Sequence, residues 1–199
     1  MARPHTASQG THPLEYVSFL ATSLDGFIAR TDGGLDWLDS YGSEVEGDCG
    51  FGDFLSSVDA LVMGRKTFLA VCQTGQWVYG ETPVFVASAT LTSQDIPEEL
   101  RHRVILTRKN PQDITKFFKD QGKRRIYVDG GQLLQSFLKE GLLNQIILTV
   151  VPKILGAGIS LWGESGEECS LKHLKTLIFS PGLVQNHYEI IHKKPHKNQ

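Results

Sequence analysis

The pattern that most constrains this chain is a pair of strand-to-helix turns about sixty residues apart. The first runs Val58-Asp59-Ala60-Leu61-Val62-Met63-Gly64-Arg65-Lys66-Thr67, the second Arg125-Ile126-Tyr127-Val128-Asp129-Gly130-Gly131-Gln132-Leu133-Leu134. In each, a short apolar run reads as a buried strand, glycine ends it, and a stretch with helical apolar spacing follows. At the mouth of a helix, free backbone N–H groups and the positive end of the dipole come together, a combination that binds phosphate. Two such mouths in one small chain predict a dinucleotide held at both ends. Arg65 and Lys66 in the first turn predict an extra phosphate on it. The planar fork of a guanidinium matches phosphate, which favours Arg65 as its reader.

A chain of 199 residues, 40% hydrophobic and 21% charged, has the size and composition of one globular domain. The domain is expected over residues 14–192, with disordered tails over 1–13 and 193–199. A net charge of −2 gives no field to steer nucleic acid, so no such partner is expected. Cys49, Cys72 and Cys169 are too few and too scattered for a disulfide framework, which fits a reducing compartment. Residues 1–13 lack the apolar centre of a signal peptide, and no apolar run reaches membrane-spanning length. A cytoplasmic location without a membrane partner is therefore expected. The histidines form no metal-spaced pair within a periodic element, so no metal site is predicted; capture by His192 and His196 in the basic tail is the minor alternative.

Strands are predicted at Tyr16–Thr22, Phe27–Ala29, Ala60–Met63, Pro83–Ala87, Val104–Leu106 and Ile126–Val128. Helices are predicted at Arg65–Val71, from Pro111 to Lys119 with Asn110 as cap, and over Gln132–Lys139, stopped by Gly141. Asp53–Val58 reads as the end of a further helix. After Asn144 the character changes. Gln145–Val151 is a β-branched run, Pro152–Gly158 makes a bend, and Leu174–Phe179 and Val184–Ile191 flank a hairpin signal at Ser180-Pro181-Gly182. The first two thirds wind β/α and the last third returns as antiparallel strands, so the fold class is α/β with a mixed central sheet and flanking helices.

Four segments in this order resemble the dihydrofolate reductase superfamily: Ser23-Leu24-Asp25-Gly26-Phe27-Ile28-Ala29, Met63-Gly64-Arg65-Lys66-Thr67, Asp129-Gly130-Gly131, and Pro152-Lys153-Ile154-Leu155-Gly156-Ala157-Gly158. The resemblance is greatest to the branch holding the reductase domain of bacterial riboflavin biosynthesis, the RibD C-terminal domain, and spans about Tyr16 to Ile191. It implies a three-layer fold with about eight strands and a C-terminal antiparallel hairpin, NADPH as cofactor, a small heterocyclic substrate and often a homodimer.

By the same resemblance, Ala21 and Ile28 flank the nicotinamide, and Gly64, Arg65, Lys66 and Thr67 hold the adenosine half. Val86, Ala87 and Ser88 border the adenine, and Gly130, Gly131, Gln132 and Leu133 form the second pyrophosphate turn. Thr149 falls at a substrate-pocket threonine. Asp25 is expected to shape the loop over the nicotinamide from the substrate side. Trp37 reads as packing, with a place in the substrate cleft as the alternative. A proton donor is needed as well, and Asp48 and Asp53 are both candidates. The implied activity is reduction of 5-amino-6-(5-phosphoribosylamino)uracil. A dihydrofolate or pterin reductase and a non-catalytic NADP-binding module are the alternatives.

Overall fold

The computed structural model describes residues 13–42, 47–163 and 168–192. The expectations for the tails, apart from Pro13 and His192, lie outside the described residues. Helices and strands alternate as β1 (Glu15–Ser23), β2 (Phe27–Ala29), α1 (Asp36–Gly42), α2 (Phe51–Ser56), β3 (Ala60–Gly64), α3 (Arg65–Gln73), β4 (Val84–Ala87), β5 (Val104–Thr107), α4 (Pro111–Asp120), β6 (Arg125–Asp129), α5 (Gly131–Lys139) and β7 (Gln145–Val151). The chain then closes with β8 (Ile159–Ser160), β9 (Ser170–Phe179) and β10 (Leu183–Ile191). Helix α1 and the short strand β8 have no counterpart in the sequence reading.

Eight strands form one sheet in the order β5-β4-β3-β6-β1-β7-β10-β9, and β2 pairs with β8 separately. Pairing is parallel from β5 across to β7 and antiparallel where β10 joins β7 and β9. Strand β3 is apolar on both faces because both are covered. Ala60 and Val62 face the cluster beneath α4 and α5, with Phe118, Leu134 and Phe137. Leu61 and Met63 face the cluster beneath α2 and α3, with Phe54 and Phe68. Phe68, Phe118 and Phe137 are fully buried, each stabilising the layers by roughly 1.5–3 kcal/mol. That burial outweighs the few tenths of a kcal/mol by which an aromatic lowers helix propensity.

Local signals set the ends of these elements. The Asn110 side chain accepts from the Asp113 N–H at 2.9 Å, with Pro111 at the first helical position. Gly141, at φ +65°, turns the chain out of α5 and donates to the Leu138 carbonyl at 3.0 Å. Among the described residues no helix is long and apolar enough to cross a membrane.

Candidate active site

Strands β3 and β6 are neighbours, with Met63 in register against Asp129. The chain leaves β3 through α3 toward β4 on one side, and leaves β6 through α5 toward β7 on the other. Helices α3 and α5 cover opposite faces of the sheet. Where adjacent parallel strands send their crossovers in opposite directions, a crevice opens at their carboxyl ends, and α/β sheets bind ligands there. Gly64 and Gly130 are the two lips of that crevice.

The two turns touch. Gly130 has φ +89°, and a Cβ at that position would collide with Thr67 Oγ1; a Cβ on Gly131 would lie 2.7 Å from Ile28 Cδ1. Neither α3 nor α5 has a side-chain cap at its N-terminus or an acidic residue in its first turn. Both helix mouths therefore present unspent N–H groups to one space. The expectation of a ligand gripped at opposite ends is corrected accordingly: the turns lie one strand spacing apart, about 5 Å, and converge on a single point.

The other residues expected to hold a cofactor lie along the same edge. Ala87 is in register with Gly64, and Ser88 follows it, its Oγ accepting from the Leu91 N–H at 3.0 Å. Arg65 and Lys66 are exposed in the first turn of α3 and, among the described residues, form no ion pair. Gln132 is exposed, whereas the Leu133 side chain packs into the core under α5, leaving its backbone N–H as its contribution to the crevice. Ile28 meets Gly131 from the β2 side.

The residues expected to meet substrate divide. Trp37 is fully buried with Val151 and Leu183, so the structure assigns it to packing and removes it from the cleft. The Asp25 carboxylate accepts from Ser23 Oγ at 2.6 Å, from the Leu155 N–H at 3.1 Å and from the Gly156 N–H at 2.8 Å. It ties the β1–β2 turn to the 152–158 bend, a loop-shaping role with its acceptor sites already engaged. Thr149 lies in register with Ala21, and its side chain shares a face with Ile147 of the cluster beneath α2.

Neither carboxylate expected to donate a proton has the surroundings of an acid. Asp48 is exposed and accepts from the N–H of Gly52 at 2.6 Å and of Gly50 at 2.9 Å. Those bonds hold its carboxyl below the usual range, the Gly52 bond most of all, so it organises the approach to α2 as an ionised group. Asp53 is exposed in the first turn of α2, where a negative charge complements the helix dipole.

The residue that has those surroundings is Asp129, which the sequence reading used only as part of a glycine turn. It ends β6 beside Gly130 on the α2/α3 face. The Tyr79 hydroxyl donates to its Oδ2 at 2.5 Å. The Tyr127 hydroxyl donates to the Phe19 carbonyl at 2.8 Å. Phe51 packs edge-on against both tyrosines. Burial raises the Asp129 carboxyl above the usual carboxylate range, against the pull of the Tyr79 hydrogen bond. The same burial pushes Tyr79 and Tyr127 well above their ordinary range, so both stay protonated. A period-2 reading of Tyr127 and Asp129 onto one face, with the aromatics of Phe51-Gly52-Asp53-Phe54 above it, was the available signal.

Asp129, Ala21 and Thr149 stand on adjacent strands β6, β1 and β7 and share one face. The β1–β6 register, continued from Val17 against Tyr127, sets Asp129 level with Phe19, whereas Thr149 is level with Ala21, so the outer pair is two strand spacings, about 10 Å, apart across the sheet and two residues apart along it. This face of the sheet thus carries a raised-pKa acid on one side of β1 and a hydroxyl on the other.

Crevice, uncapped helix mouths and buried acid define a dihydrofolate reductase-like fold with a binding crevice at its switch point. Comparison with known proteins makes that class specific. The RibD C-terminal domain model matches residues 16–185, and the chain belongs to that family. It is 35% identical over 175 residues to the uncharacterised protein YwjB of Bacillus subtilis, covering 86% of this chain and 95% of that one. A crystal structure of a Shewanella sp. PV-4 protein assigned to riboflavin biosynthesis superposes with a TM-score of 0.81 at 36% identity, over 90% of this chain and 100% of that one. The Thermotoga maritima diaminohydroxyphosphoribosylaminopyrimidine deaminase/5-amino-6-(5-phosphoribosylamino)uracil reductase shares the fold, with a TM-score of 0.60 at 14% identity. This chain matches 90% of its own length and 57% of the Thermotoga protein.

Proposed function

We propose that this protein is an NADPH-dependent reductase of a small heterocycle, with 5-amino-6-(5-phosphoribosylamino)uracil as its substrate. The observation that carries the reading is the placing of the two uncapped helix mouths, at Gly64 and Gly130, side by side where neighbouring parallel strands end and their crossovers diverge. The family membership and the uracil reductase named for the Thermotoga relative support the substrate.

NADPH, when bound, supplies the hydride. The chain supplies position, a dry cleft and a proton. First-turn N–H groups of α3 and α5 would hold the pyrophosphate, and Arg65 would read the 2′-phosphate. Ala21 and Ile28 would wall the nicotinamide. Reduction at the ribose carbon that bears nitrogen opens the ring C–O bond, and the departing oxygen takes up a proton. Asp129, whose carboxyl burial raises above the usual range, would be the group to give it. An acid with these surroundings favours a working reductase over a module that only binds NADP.

The test is a cofactor titration followed by turnover of the uracil substrate, dihydrofolate and simple pteridines. Tight NADPH binding with NADPH oxidation by the ribosylaminouracil is expected. Absence of affinity for NADP(H) overturns the proposal.

A further inference from the structure

Thr149 is reached from behind by a chain of hydrogen bonds whose direction is fully determined. Gln185, on β10 and in register with Thr149, is 1% exposed. Its Nε2 lies 3.1 Å from the Cys49 carbonyl oxygen and 3.1 Å from Thr149 Oγ1. A backbone carbonyl can only accept, so the amide nitrogen must face Cys49, and its orientation is settled without ambiguity. The two N–H groups of Gln185 are then both spent, one on Cys49 and one on Thr149. At the other end of the amide, Oε1 lies 2.9 Å from His187 Nε2. An amide oxygen can only accept, so His187 carries its proton on Nε2.

Thr149 Oγ1 therefore receives a proton and keeps its own to give. Among the described residues that proton has no acceptor, although the threonine is 5% exposed. A buried donor without a partner is unfavourable, and a ligand that brings an acceptor removes that cost. Burial, with Lys175 adding to it, lowers the His187 imidazole to about 4, so the ring carries a single proton at neutral pH.

We propose that Gln185 and His187 are positioning residues that fix Thr149 as a hydrogen-bond donor into the cleft, selecting a carbonyl oxygen or bare ring nitrogen of the bound heterocycle over an amino group at that point. The proposal rests on the reductase reading for the identity of the heterocycle. The His187–Gln185–Thr149 chain itself does not. Gln185 also pins the Cys49 carbonyl, and with it the 47–50 loop that leads into α2, so one amide sets both the polarity of the threonine and the seat of the helix above it. Cys49 takes a positive φ of 56°, rare for a residue with a side chain, and the Gln185 bond helps hold it there.

Steady-state reduction of 5-amino-6-(5-phosphoribosylamino)uracil by the full chain tests the ligand end. Thr149→Val should raise KM for the uracil about tenfold, the worth of one hydrogen bond. Thr149→Ser should keep it within about twofold, and the NADPH Kd should not move in either. Gln185→Glu replaces the donor by an acceptor and should match Thr149→Val, with the double variant no worse than either single. An unchanged KM in Thr149→Val, or additive losses in the double variant, overturns the proposal. Because Gln185→Glu buries a carboxylate and can cost the fold, the ring ¹⁵N spectrum of His187 in the wild type carries the test independently. The Nε2–H tautomer supports the chain, and the Nδ1–H tautomer overturns it whatever the turnover. A wild type that binds NADPH but leaves the uracil unreduced overturns the functional reading instead, and the ring spectrum still judges the chain.

Discussion

Thr67 Oγ1 occupies the space that a side chain on Gly130 would need, which brings two turns remote in sequence into contact at the crevice. The contact exists because β3 and β6 are paired neighbours whose helices start at the same edge on opposite faces. Any Cβ at Gly130 meets both a positive φ of 89° and the threonine hydroxyl.

Gly130→Ala is accordingly expected to lower stability by about 1–3 kcal/mol and to weaken NADPH at least tenfold. Thr67→Ala in the Gly130→Ala background removes the collision and should recover part of the stability, leaving the backbone strain. Thermal melts of the single and double variants measure this. Strictly additive losses would show that the two turns are not in contact.

Arg65 is exposed beside the Gly64 mouth with no acidic neighbour in the first turn of α3, so its charge is available to a ligand. A charge-assisted hydrogen bond contributes about 1.5–3 kcal/mol, or roughly tenfold to a hundredfold in affinity. Arg65→Ala should weaken NADPH by that factor and NADH by little. Fluorescence titration with both cofactors checks it; an equal loss for both removes Arg65 as the 2′-phosphate reader.

Asp129→Asn should leave NADPH affinity unchanged and lower kcat by about 10²–10⁴, the usual worth of a general acid. The acid acts in its protonated form, so wild-type kcat is full below its raised pKa and falls as pH rises through it. The asparagine variant should lose that alkaline limb. Stability moves the same way. The folded carboxyl holds its proton more tightly than the unfolded one, so the fold loses stability as pH rises from the ordinary aspartate range through the raised value. Asp129→Asn should flatten that slope. A kcat profile with an unchanged alkaline limb would exclude Asp129 as the donor.

Much of this was legible in the chain because the signals were local. Gly64 and Gly130 end apolar runs and open helices, and Asn110-Pro111 and Gly141 mark helix ends that the structure places where they were read. What escaped was pairwise. The cleft alternative for Trp37 falls only once Val151 and Leu183 are seen to bury it. Position along the chain makes Asp48 and Asp53 candidates, whereas a carboxyl's pKa depends on what surrounds it in space. Asp129 gains its character from burial among segments remote in sequence, Tyr79 with them, that only the fold brings near. Gln185 carried no motif, because its role depends on three partners from three separate segments.

We propose, finally, that two copies of this chain associate through β9. That strand lies at the edge of the sheet, and nearly its whole length is exposed, including Leu171, Leu174, Leu177 and, at 76%, Ile178. A long edge strand with free N–H and C=O groups and apolar side chains is a template for pairing unless something covers it, and patches of this kind mark interaction surfaces. Lys172 and Lys175 limit open-ended growth, as charges on edge strands do, which favours a closed pair over a fibre. Light scattering on the purified chain should give twice the monomer mass of 22.1 kDa. Ile178→Lys together with Leu174→Lys should shift it to the monomer without unfolding β10, whose Leu183 and Ile190 remain in the core. A monomer in the unmodified chain would overturn the pairing, and a dimer that survives both lysines would place its seam elsewhere.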